Sequence, residues 1–174
     1  MIVANHGFDL QPRLAGDLLE LRPLRPEDWD ALFAAASDPL IWAQHPASDR
    51  YKEDVFREFV GEALKSGGAF VVIDKQTQKI IGSSRYFGFN AARKEIEIGW
   101  TFLARSYWGG QYNAELKRLM LEHAFRFVDT VVFLVGDTNI RSRRAMEKIG
   151  GVLAGERDGR VVYEIKKATW RGGH

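Results

Sequence analysis

Three strand-like runs follow one another between residues 69 and 103 with only short polar turns between them. They are "AFVVIDK" (69–75), "KIIGSSRYFGF" (79–89) and "KEIEIGWTFL" (94–103), with "TQ" and "NAAR" falling at the turns. Turns this short join antiparallel strands, since a parallel pair needs a crossover of a dozen or more residues. Next comes "AELKRLMLEHAFRFV" (114–128), whose Leu116, Leu119, Met120, His123, Ala124 and Phe127 recur at helical spacing. The apolar run "TVVFLVG" (130–136) closes a strand–helix–strand unit. A doubly wound parallel sheet would alternate strand and helix throughout. The order here predicts a mixed, mostly antiparallel sheet carrying helices.

The flanking segments fill out the class. "LLELRPL" (18–24) reads as a strand and "RPEDWDALFAAASD" (25–38) as a helix, with Pro26, Glu27 and Asp28 suited to its start. "PLIWAQHP" (39–46) reads as a proline-bounded loop that exposes Trp42. "KEDVFREFVGEALKSGG" (52–68) is an amphipathic helix ended by Gly67 and Gly68. "NIRSRRAMEKIGG" (139–151) is a short helix, and "GVLAGERD" with "GRVVYEIKK" forms a final hairpin. The expectation is an α/β (α+β) fold of about seven strands and four helices, as a single domain over residues 1–174 with its core at 18–167.

Composition narrows the function. The chain has 174 residues, net charge +2 and no cysteine. A dedicated nucleic-acid binder concentrates more positive charge than this. Without cysteine there is no disulfide, no thiolate metal site and no acyl-cysteine intermediate, which fits a cytoplasmic protein. None of the four histidines sits at H-x-x-x-H spacing, so no metal is expected. No apolar run reaches the length of a membrane span, and "MIVANHGFDLQPRL" lacks the order of a signal peptide. The tail "TWRGGH" is expected to be loosely held apart from Trp170.

Four features carry chemistry. The first is "RSYWGGQYNAELK" (105–117), where Gly109 and Gly110 precede a helix expected to begin near Asn113, its natural N-cap. Free amides of a first helical turn, a close backbone approach and the helix dipole suit a pyrophosphate; a tight strand-to-helix turn needs the same glycines. The second is the alternation in 94–103. Glu95, Glu97, Gly99 and Thr101 fall on one face and Ile96, Ile98, Trp100 and Phe102 on the other. A carboxylate there can act as a general base or pair with Arg93 or Lys94. The third is Asn139, Ser142, Arg144 and Lys148, the last two sharing a helix face that can meet phosphate. The fourth is the loop aromatics Trp42, Tyr107 and Trp108 as pocket walls.

Together, "LRPLRPEDWDALF", "EIGWTFLARSYWG" and "NIRSRRAMEKIGG" resemble the GCN5-related N-acetyltransferases across roughly residues 18–167. The subgroup most resembled contains the ribosomal-protein N-terminal acetyltransferases. The resemblance implies a splayed sheet and acetyl-CoA as co-substrate, with an acetyl group passed to a primary amine on a small molecule or a protein N-terminus. Backbone groups of Trp100, Thr101, Phe102 and Leu103 would pair with the pantetheine. The loop Trp108, Gly109, Gly110, Gln111, Tyr112 and Asn113 would hold the pyrophosphate. Asn139 and Ser142 would lie by the pantetheine and thioester, and Arg144 and Lys148 by the phosphates. Glu97 would be the base, with Glu156 and Glu164 in reserve. Ser142 would supply the acid, since Met146 stands where many relatives carry a tyrosine. Trp42 would border the substrate. Gln111 departs from the family's glycine and Asn113 from its final small residue. A homodimer is left open, and no nucleic-acid or membrane partner is implied. The alternative is a non-catalytic acyl-CoA-binding or sensing domain of the same fold.

Overall fold

The structure, a computed structural model, describes residues 7–171. The first six residues and Gly172 to His174 lie outside it, so the signal-peptide reading and most of the tail are not addressed. Trp170 is described, and its ring lies 5.4 Å from that of Phe125. Among the described residues no helix is long and apolar enough to cross a membrane.

The architecture is an eight-stranded sheet in the order β1-β2-β3-β4-β5-β6-β8-β7. The strands are β1 (Leu14–Ala15), β2 (Leu19–Pro23), β3 (Ala69–Asp74), β4 (Ile80–Asn90), β5 (Glu95–Leu103), β6 (Thr130–Val135), β7 (Val152–Arg157) and β8 (Arg160–Lys166). Every pairing is antiparallel except β5 with β6. Five helices accompany them: α1 (Trp29–Ala36), α2 (Pro39–Trp42), α3 (Glu53–Ser66), α4 (Gln111–Ala124) and α5 (Ile140–Lys148). The mixed, mostly antiparallel sheet is as expected. β1 and α2 are additions, each too short to leave a periodic pattern in sequence.

The sheet is buried on both faces. On one, Leu116, Leu119, Met120 and Ala124 of α4 and Met146 of α5 pack against Ile96, Ile98, Val131 and Phe133. On the other, Leu32 and Ala36 of α1, Ile41 and Trp42 of α2, and Phe56, Phe59, Val60 and Ala63 of α3 pack against Val71 and Phe102. The predicted helix at 25–38 is divided. Pro26–Asp28 forms a single 3-10 turn, and α1 follows from Trp29. Asp28 anchors that turn by accepting from both terminal nitrogens of Arg22, at 2.9 and 2.7 Å, and from the Arg25 amide at 2.8 Å.

Strict alternation along β5 fails at Trp100. Ser83 pairs with Phe102 and Arg85 with Gly99, so one residue of β4 faces two of β5. Trp100 takes the extra position with a φ of 52°. A bulge of this kind inverts the side-chain parity downstream. Ile96 and Ile98 therefore face α4, as expected, but Phe102 turns to the α1–α3 face and Leu103 takes the α4 face.

A cleft between parted strands forms the candidate active site

The bulge stands where β5 leaves β6. Their parallel ladder holds three register pairs, Glu95 with Thr130, Ile96 with Val131 and Glu97 with Val132. Beyond Glu97 both strands continue, β5 to Leu103 and β6 to Val135, without pairing with each other. Backbone polar groups on the inner edges of a buried gap demand a partner. The gap opens into a cavity of about 1020 Å³ lined from both sheet faces. Ile98–Leu103 and Phe133–Asn139 form its sides. Asn113, Lys117, Ser142 and Met146 contribute from the α4–α5 face. Ala43–Ser48 and Arg50, which follow α2, and the β7–β8 turn at Asp158–Arg160 complete it.

The loop before α4 is fixed by its aromatics. The Tyr107 hydroxyl donates to the Asp74 carboxylate at 2.6 Å, and its ring meets Tyr112 edge-on at 4.8 Å. The Trp108 indole N–H donates to the Leu103 carbonyl at 2.8 Å, and the Arg141 guanidinium lies 3.6 Å above the same indole. Gly109 follows with a φ of 73°, a conformation that side-chain-bearing residues adopt at a cost. The N-cap of α4 is Gly110 rather than Asn113, and no side chain caps that end. The first-turn amides of α4 thus lack a side-chain acceptor, the arrangement that favours an anion. Asn113 is the third residue of the helix, and its side-chain oxygen accepts from the Lys117 ammonium at 3.2 Å.

Lys117 went unnoticed in the sequence because it sits inside a helical pattern that reads as ordinary amphipathic chain. It is 3% exposed and lines the cavity, with Asn113 as its hydrogen-bond partner and no carboxylate in an ion pair among the described residues. Burial lowers its pKa from the ordinary lysine value to about 8. His45 was also missed. It lines the cavity, accepts the Ala47 amide on Nδ1 at 2.9 Å, and has its pKa pushed down to about 4 by burial and then by Arg50, Arg141 and Arg160. Its imidazole is neutral at pH 7.

The expected residues fall into two groups. Trp100, Thr101, Phe102, Leu103, Trp108, Gly109, Asn113, Asn139 and Ser142 all line the cavity. Asn139 is buried and caps α5 by accepting the Ser142 amide at 3.3 Å. Gly110, Gln111 and Tyr112 are outside the cavity wall, and so are Arg144 and Lys148, which are exposed on α5. Trp42, expected on an exposed loop, is 2% exposed and forms the last residue of α2. Its indole N–H donates to the Ala36 carbonyl at 2.9 Å, and its ring packs on Phe102 at 5.2 Å. Residues just after it, not Trp42 itself, line the cavity. Pro46 is seated against Gly136, where an added Cβ would lie 2.6 Å from the proline ring.

The two strand carboxylates are separated by their partners. Glu95 does not pair with Arg93 or Lys94 at contact distance. It accepts two bonds from Arg157, at 2.9 and 3.3 Å, and its pKa is lowered chiefly by that bond. Glu97 is half-buried and makes no ion pair among the described residues. Burial raises its pKa, against the pull of Arg160, Arg157 and Arg85. It lies behind the wall, its carboxylate over Gly99, where an added Cβ would come within 3.1 Å. Of the reserve carboxylates, Glu156 is exposed, and Glu164 lies 3.7 Å from the Lys166 ammonium.

Comparison with known proteins bears on this site. The model of the acetyltransferase (GNAT) domain family matches residues 19–152. A probable GNAT-family acetyltransferase from Chromobacterium violaceum is 21% identical, with a TM-score of 0.82 over 98% of this chain and 94% of that one. A putative acetyltransferase from T. thermophilus is 26% identical, with a TM-score of 0.77 over 94% and 93%. A spermidine N-acetyltransferase from Vibrio cholerae, solved with CoA and spermine, is 18% identical, with a TM-score of 0.67 over 88% and 98%. With more than half of its length matched by the family model, and a parted β5–β6 pair over a deep cleft, the chain belongs to the GNAT acetyltransferase family.

Proposed function

We propose that the protein is an acetyl-CoA-dependent N-acetyltransferase that moves the acetyl group to a primary amine by direct attack. The observation that carries this is the early end of the β5–β6 ladder over a cavity of about 1020 Å³. An extended chain bearing amides fits such a gap, because it can pair with backbone groups that β6 leaves free. Trp100 to Phe102 would hold the pantetheine in that way. The uncapped start of α4, at Gly109 to Asn113, suits the pyrophosphate, with Lys117 and Arg141 as nearby cations in the wall. Arg144 and Lys148, outside the wall, are assigned to the outer phosphates.

When bound, acetyl-CoA supplies an activated acyl carbon. The amine nitrogen bonds to that carbon, and a β5 amide near Trp100 to Phe102 donates to the oxygen as it gains charge. Glu97, acting through an ordered water since it lies behind the wall, takes the proton that nitrogen loses. Ser142 or solvent returns a proton to the sulfur as the carbon–sulfur bond breaks. Much of the rate would come from holding amine and acyl group together. The chain contains no cysteine, so an acyl-cysteine intermediate has no place in the scheme.

The acceptor in this reading is a small-molecule amine or a protein N-terminus, the latter following the resemblance to the ribosomal-protein subgroup. The 174 residues act as one catalytic domain in the cytoplasm. Titration calorimetry tests the cofactor half directly. Acetyl-CoA is expected to bind with one-to-one stoichiometry, and desulfo fragments lacking the pyrophosphate to bind at least tenfold more weakly. No heat of binding with intact acetyl-CoA would remove the basis of the proposal.

A further inference from the structure

In the wall of the cavity, and just behind it, stand cations that make no ion pair among the described residues. Arg85, on β4 opposite Gly99, is 4% exposed. Its guanidinium is stacked 4.2 Å from the Trp100 ring and 5.6 Å from the Phe59 ring. It makes no ion pair among the described residues, and its Nε is the one buried side-chain polar atom among them without a hydrogen-bond partner. Arg50 lies 4.9 Å over the same Phe59 ring and 5.7 Å over Trp42, half-buried in the cavity wall and equally without an ion pair among the described residues. Arg160 enters the wall from the β7–β8 turn.

These cations feel one another. Arg50 has its pKa lowered to about 10, first by burial and then by Arg160. Arg85 is lowered to about 10, first by burial and then by Arg50. The acidic groups near them are Asp49, exposed beside Arg50, Glu97 behind the wall, Glu62 exposed on α3, and Asp158 exposed on the turn. None closes to an ion pair with the three arginines. Arg157, a further cation of this region, is already held by Glu95, and Arg141 stacks on Trp108 and donates to the Ile41 carbonyl at 3.3 Å. A desolvated guanidinium without a counter-ion is costly, and an anion delivered by a ligand removes that cost. A guanidinium also presents the paired donors that match a planar carboxylate.

We infer that the acceptor is an amine carrying an anionic group, a carboxylate or a phosphate, which Arg50 and Arg160 hold in the cleft with Arg85 behind them. This rests on the acetyltransferase reading and narrows its acceptor. Polyamines and aminoglycosides, positively charged throughout, would meet like charge at the same place. The amine of an anionic acceptor would be drawn toward the half-buried carboxylate of Glu97, while its anion stays with the arginines.

The test is a set of matched amine pairs with acetyl-CoA, followed by free thiol release: α-amino acids against their carboxamides, O-phosphoethanolamine against ethanolamine, and spermidine as the polycation. The anionic member of at least one pair is expected to exceed its neutral partner by tenfold or more in kcat/KM, and the pair that does so identifies the anion. In Arg160→Gln, whose side chain is exposed, and in Arg50→Gln, that ratio should fall toward one, mainly through KM. Equal or better use of the neutral amines or of spermidine would overturn the inference while leaving an acetyltransferase. A ratio unchanged in both variants would overturn the arginines' role. No thiol release with any amine, together with no binding of acetyl-CoA by calorimetry, would bring down the acetyltransferase reading and this inference with it.

Discussion

Single residues in this cleft are defined by which charges they find. Glu95 and Glu97 are two positions apart on one strand face, and sequence treats them alike. Arg157 claims Glu95 and lowers its pKa, whereas Glu97 is half-buried without an ion pair among the described residues and its pKa rises. A carboxylate with a raised pKa is better matched to accept a proton near neutrality. Its charged, competent form is lost as pH falls through that raised value. The kcat/KM profile should therefore show a limb rising with pH at a pKa above that of an ordinary glutamate. In Glu97→Gln that limb should vanish and the rate drop roughly 100-fold, at the low end of general-base effects. The limb that belongs to the amine itself should persist. A profile identical to the parent's would eliminate Glu97 as the base. The partners that decide these roles, Arg157 and Arg160, lie some sixty residues along the chain, so no local pattern could have revealed them.

At the level of elements, the strand order and long helices were legible because each follows a regular period. Departures occur where a single residue breaks the period. The bulge at Trp100 adds one residue to β5 and inverts everything after it, and nothing in "EIGWTFL" marks the break. A non-glycine residue at positive φ costs on the order of 1–3 kcal/mol. The indole offsets part of that by stacking beneath Arg85 and meeting Phe87 edge-on at 5.2 Å. Helix α2 was hidden for another reason. Its four residues are too few for a period, and the prolines around Trp42 point to an exposed loop instead. Burial of that indole pins α2 to Phe102 and carries the Ala43–Arg50 segment into the cavity wall. Trp42→Ala should thus cost about 3–5 kcal/mol of folding stability, the usual cost of emptying a buried aromatic site. Urea denaturation measures it. A loss below about 1 kcal/mol would contradict the anchoring role, and a change in acceptor preference at full stability would return Trp42 to the substrate.

For the whole molecule, the family was legible from three motifs far apart in the chain, while the acceptor was not. The proposed cofactor half depends on backbone geometry, which follows from local sequence: the strand end, Gly109 and the start of α4. The proposed acceptor half draws on β4, β5, the segment after α2 and the β7–β8 turn, so its cationic character emerges only when those pieces meet. Gln111, which replaces the family's glycine, stands outside the cavity wall, whereas Gly109 lines it. The loop therefore offers its amides without the expected pattern. The central claim remains that the cleft carries out transfer as well as binding. The most direct measurement is free thiol release from acetyl-CoA across an amine panel, with acetylated product followed by mass. The predicted result is amine-dependent thiol release matched one for one by acetylated amine. Tight binding of acetyl-CoA with no amine driving thiol release would contradict it and identify a binding or sensing domain instead.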